Sequence, residues 1–181
     1  MHHKVSPPVL IKSLDSRGNF FGYASVFDWI DRQGDTVAQG AFSHSLKKWH
    51  MQKKMPKMLW QHKHHEPIGK WTFMGEDPKG LYVEGRLLMD VGRARSAYAL
   101  MKEGVLDGLS IGYEVKKSYQ DQTTKARVLT EIDLHEISLV TFAANEKAKV
   151  HHVKSCRDDS DLLMQVRRLT QLITHENQRT L

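Results

Sequence analysis

Cysteine is almost missing from this chain of 181 residues, where Cys156 stands alone. A lone thiol closes no internal disulfide and builds no cysteine metal cluster, so neither device can hold the fold together. A reducing compartment fits. Long apolar runs are missing as well: no stretch of about 18 apolar residues occurs, and Met1-His2-His3-Lys4 lacks the apolar segment of a secretory signal. The expectation is a soluble protein, intracellular where it is made, with no membrane partner. Internal repeats and low-complexity tracts are also lacking, which sets repeat architectures aside.

What is present suits one domain with a real core, since 40% of the residues are hydrophobic. A single site is therefore sought. The net charge of +6 admits either nucleic acid or an acidic protein surface. The basic residues are scattered, with pairs at Lys47-Lys48, Lys53-Lys54 and Arg167-Arg168, and no aromatic-rich basic motif accompanies them. Nucleic acid is not expected as the main ligand.

Along the chain, residues 9–14 and 19–27 read as strands joined by the turn-forming Asp15-Ser16-Arg17-Gly18. Residues 28–40 are polar and read as a loop. Phe42, Leu46 and Trp49 have helical spacing and predict a helix over 41–54, which Pro56 ends before a short strand at 57–61. Residues 68–73 and 81–89 form a second antiparallel pair around the Gly- and Pro-containing turn 75–80. Ala94, Ala97, Tyr98 and Met101 predict a helix over 93–103, with Gly104 as its stop. Strand formers fill 109–117 and 127–142, and a polar connection lies over 116–125. The fold class is α+β, with a mainly antiparallel core.

From Ala143 the character changes. Residues 1–149 are assigned to the main domain, 150–160 to a linker and 161–181 to a helical tail. In that tail Leu162, Val166, Leu169 and Ile173 form a narrow apolar stripe suited to a partner helix or to docking on the main domain.

Three places carry candidate chemistry. His62, His64 and His65 crowd together after Trp60-Gln61. A metal reading could place His62 and His64 on one face, but no carboxylate or cysteine at familiar spacing completes a ligand set, so no metal and no cofactor is expected. Gly108-Leu109-Ser110-Ile111-Gly112 puts a small hydroxyl on a strand between glycines that allow close backbone approach. His135-Glu136 interrupts an apolar strand, and alternation sends the two side chains to opposite faces. A serine hydroxyl needs a base to take its proton, and the base needs a polar group to fix its tautomer. All three kinds of group are available.

These residues occur within ordered motifs: Gly22-Tyr23-Ala24-Ser25-Val26-Phe27; Asp31 with Gly34-Asp35 and Gly40-Ala41-Phe42; Leu59-Trp60-Gln61-His62 with Pro67-Ile68-Gly69; Gly104 with Leu109-Ser110-Ile111-Gly112-Tyr113; and His135-Glu136-Ile137-Ser138-Leu139-Val140-Thr141-Phe142-Ala143-Ala144-Asn145. Over roughly 11–149, judged by where these motifs start and stop, the sequence resembles the tailed-phage prohead maturation proteases, relatives in fold of the herpesvirus capsid-assembly proteases. The resemblance implies a β-barrel-like core with flanking helices. It implies Ser110 as nucleophile, His62 as general base and Glu136 as third member, with His135 the alternative third member and His64 or His65 alternative bases. Oxyanion N–H groups are expected near Arg93 to Arg95 by the same analogy. The implied activity is that of a serine endopeptidase inside the assembling prohead, in the host cytoplasm. Its implied targets are itself, the scaffolding protein or domain, and the N-terminal part of the major capsid protein. The runner-up is a non-enzymatic structural or scaffold protein of the particle, because a fold does not fix chemistry.

Overall fold

The computed structural model describes residues 17–151. The expected strand at 9–14, the tail at 161–181 with its helix, Cys156 and linker residues 152–160 lie outside the described residues.

The strand-forming run Asn19-Phe20-Phe21 opens β1 (Asn19–Val26), which pairs antiparallel with β5 (Gly80–Leu87) through a bulge between Tyr23 and Ser25. On the other edge of β5 lies β4 (Lys63–Glu76), and β4 in turn pairs antiparallel with β3 (Lys57–Trp60). The other long strand is β7 (Arg127–Val140). One of its edges takes β6 (Gly108–Gln120) antiparallel. Its other edge is shared by two parallel strands, β2 (Asp35–Val37) at its start and β3 at its end. Antiparallel pairing thus dominates a mixed sheet.

The sheet curls into a half-barrel whose ends are linked by residues 148–151. There β8 (Val150–His151) pairs with β1, Lys149 bridges Gly108, and the Leu109 N–H donates to the Ala148 carbonyl at 3.0 Å. Each of these bonds satisfies a backbone group that an open sheet edge would leave bare.

Leu81, Val83 and Leu87 on β5 and Ile132, Leu134, Ile137 and Leu139 on β7 are all within 1% of full burial. Burying each such side chain contributes about 1.5–3 kcal/mol relative to leaving it in water. From Glu136 onward every residue of β7 is buried, in the half of the strand that runs between β3 and β6. A carboxylate there is taken out of water by topology.

Helix α1 (Ser43–Met51) lies over β7: the Trp49 indole N–H donates to the Leu134 carbonyl at 2.8 Å, and Ser45 Oγ accepts the Leu134 N–H at 2.8 Å. Helix α2 (Gly92–Lys102) buries Ala94, Ala97 and Met101, the stripe expected of it. Gly104 follows with φ of 71°, a left-handed conformation that a glycine adopts without a Cβ penalty.

Three expectations are corrected. The polar connection expected over 116–125 begins only after Gln120, because β6 continues to that residue in register with β7. The loop at 28–40 contains β2, which is too short to reveal alternation. The strand expected at 68–73 extends from 63 to 76, and its first residues are polar because they form an exposed arm of the hairpin with β3.

Candidate active site

Trp60 on β3 pairs with Lys63 on β4, leaving Gln61 and His62 as a two-residue turn. Both have positive φ, 51° and 58°, as a type I′ hairpin turn requires. Side chains adopt this left-handed region at a cost of roughly 1–2 kcal/mol, so surrounding bonds must hold it. Those bonds come from β7 and the residue after it. The Gln61 N–H donates to the Leu139 carbonyl at 3.0 Å, and its side-chain amide donates to Thr141 Oγ1 at 2.9 Å. The His62 N–H donates to Ser138 Oγ at 3.0 Å.

So held, the His62 ring places Nδ1 2.6 Å from Glu136 Oε1. A carboxylate accepts, so Nδ1 carries the hydrogen of this bond, and the neutral form of the ring then has its lone pair on Nε2. The side chain of Glu136 is 8% exposed and that of His62 44%, so the acid is sheltered while the imidazole reaches solvent. Across the sheet, Gly112 pairs with Glu136 and Ser110 with Ser138. A Cβ at Gly112 would collide with Glu136 Oε1, so the missing side chain makes room for the carboxylate.

A cleft of about 410 Å³ runs past these groups and is lined by both Ser110 and His62. Ser110 itself is buried apart from its cleft side. Farther along, Arg127 bonds Asp35 through two nitrogens, at 2.8 and 2.5 Å, and the Tyr113 hydroxyl donates to Asp35 at 3.4 Å. Burial, and after it the negative charges of Asp35 and Asp31, pushes the Tyr113 phenol up to about 12.

The expected residues separate cleanly. Ser110 and His62 share one cleft, and Glu136 stands behind His62. His135 is exposed on the other face of β7, as alternation demands. His64 and His65 are exposed on β4 and do not line the cleft; His65 Nε2 lies 4.0 Å from a carboxylate oxygen of Glu66. Arg93 and Arg95, near which oxyanion N–H groups are expected, engage their side chains elsewhere: the Arg93 guanidinium bonds Glu66, and that of Arg95 bonds the carbonyls of Met89 and Asp90. Ala144 and Asn145 are among the residues that line the cleft.

Sequence reasoning missed the part played by Ser138. Its signal was the two-residue spacing from Glu136, which puts both on one face.

A curled mixed sheet that sets a serine and a histidine on one cleft, with a buried acid behind the histidine, defines the class with which this chain is to be compared. The chain belongs to the caudovirus prohead serine protease family, whose family model matches residues 8–161. It is 40% identical over 141 residues to the prohead protease of Enterobacteria phage HK97, an alignment spanning 77% of this chain and 61% of that relative's length. The bacteriophage T4 capsid assembly protease has the same fold, with a TM-score of 0.55 at 12% identity over 67% of this chain and 82% of that one. The protease of KSHV aligns with a TM-score of 0.48 at 10% identity, over 76% of this chain and 65% of that one.

Proposed function

We propose that this chain is a serine endopeptidase that matures the phage prohead, with Ser110 as nucleophile, His62 as general base and Glu136 as the acid that orients it. The observation that carries the reading is the 2.6 Å contact between His62 Nδ1 and Glu136 Oε1 behind a cleft that Ser110 lines.

In this reading His62 Nε2 takes the hydroxyl proton as Ser110 Oγ attacks a peptide carbonyl. The imidazolium, steadied by Glu136, passes that proton to the departing amine, and an acyl-enzyme remains. Water, activated by the same imidazole, then releases the acid and restores Ser110. The half-exposed ring suits both steps, because it must meet substrate on one side and a sheltered carboxylate on the other.

Family membership supports a role in the capsid. The substrates we assign are the protease itself, the scaffolding protein or domain, and the N-terminal part of the major capsid protein, cleaved within the assembling prohead in the host cytoplasm. Co-expression with capsid and scaffolding proteins tests this. Ser110→Ala and His62→Ala should each leave the capsid protein at full length, and continued processing with either variant would refute the assignment.

A further inference from the structure

We propose that Ser138 is a positioning residue that locks the His62–Glu136 pair through a single hydroxyl. The inference rests on the catalytic reading above and goes beyond it, because Ser138 need touch neither substrate nor the reacting atoms.

The geometry carries the argument. Ser138 Oγ donates to Glu136 Oε2 at 2.8 Å and accepts the backbone N–H of His62 at 3.0 Å. A hydroxyl has one hydrogen and two lone pairs, so one rotamer satisfies both bonds together. The side chain is fully buried, so no solvent water stands ready to replace either bond.

Each bond restrains a different half of the pair. Glu136 has two oxygens: Oε1 meets the imidazole and Oε2 meets Ser138, so the plane of the carboxylate is set from both ends. Gly112, with no Cβ, leaves Oε1 the space it occupies. His62 sits on a left-handed turn position, and its own N–H is tied to β7 by the bond to Ser138, next to the backbone bond that Gln61 makes to Leu139. The same hydroxyl therefore couples the aim of the acid to the seat of the base. Register completes the picture, since Ser138 pairs with Ser110 on β6 and with Leu59 on β3. It occupies the row between the nucleophile's strand and the strand that leads into the base's turn.

A purely structural Ser138 would stabilise the sheet and leave the reactivity of the site alone. Labelling of the full chain by a fluorophosphonate separates the two roles, because the maximal rate at saturating probe reads activation of Ser110 while the half-saturating concentration reads binding. Ser138→Ala should lower the maximal rate about 10- to 100-fold, the effect of losing one buried hydrogen bond to a charged group, with half-saturation within twofold. The low-field proton resonance of His62 Nδ1 should shift or broaden in the same variant.

Ser138→Thr against Ser138→Val gives a second comparison at matched shape, and it serves where the alanine variant fails to fold. The Thr variant keeps the hydroxyl and should label at least tenfold faster than the Val variant. Equal labelling by Thr and Val, or an alanine variant with parental rate and an unmoved resonance, overturns the inference. If His62→Ala and Glu136→Ala abolish labelling in the same experiment, the protease reading survives that failure. If they too label at the parental rate, the protease reading falls with it.

Discussion

His62 Nδ1 and Glu136 Oε1 meet at 2.6 Å although 74 positions separate them, and the contact joins a two-residue turn to the buried half of β7. The turn presents the ring and the strand withholds the carboxylate from water. Glu136→Gln keeps the size of the side chain but replaces a pure acceptor with an amide that can present a donor to Nδ1, favouring the wrong tautomer. Peptide hydrolysis should fall by about 10²- to 10⁴-fold with the fold intact. A rate within threefold of the parent would show that the acid does not orient the base.

Gly112→Ala tests the space in front of that acid. The added Cβ would collide with Glu136 Oε1, so either the carboxylate or β6 must move. Fluorophosphonate labelling of Ser110 should drop tenfold or more, on the order expected when an orienting contact is misplaced by a fraction of an ångström. Circular dichroism should stay close to parental. Unchanged labelling would mean that the carboxylate has room the structure does not give it.

At the far end of the cleft the Asp35 side chain is 4% exposed and that of its partner Arg127 is 49% exposed. Arg127→Met leaves the Asp35 carboxylate without its cation and should destabilise the fold, by less than breaking a fully buried pair because the arginine is solvated. Urea melts measure it. Asp35→Asn combined with Arg127→Met should cost less than the sum of the two single changes, since each removes the other's unmatched charge.

Tyr113 gives a pH signature of its own. Its phenol is raised from 10.0 to about 12 by burial and, after that, by Asp35 and Asp31, so the unfolded chain loses this proton first as pH rises. The contribution to stability is whole below pH 10 and declines as pH climbs toward 12. Urea melts at about pH 9 and about pH 11 should show a loss that is smaller in Tyr113→Phe. An equal loss in both proteins would assign the alkaline slope to other groups.

Much of the frame was legible because its signals are local. The alternation of Leu81, Val83 and Gly85 marked β5, and the spacing of Ala94, Ala97 and Met101 marked α2. Less was legible where structure depends on distant partners. Gln61-His62 offers no glycine or asparagine to announce a two-residue turn, and the turn exists because β7 supplies its hydrogen bonds. The three residues of β2 borrow their strand character from β7. Alternation separated His135 from Glu136, yet it could not say which face was covered; in the assembled sheet Glu136 is buried and His135 exposed. The role of Ser138 was hidden for the same reason, since its two partners are visible only when turn and strand are assembled.

The most direct test of the central claim is peptide mapping by mass spectrometry after fluorophosphonate treatment of the parent and of His62→Ala. The account predicts one adduct, on Ser110, that disappears when the imidazole is removed. An adduct on another residue, or Ser110 modified as fast without His62 as with it, would contradict it.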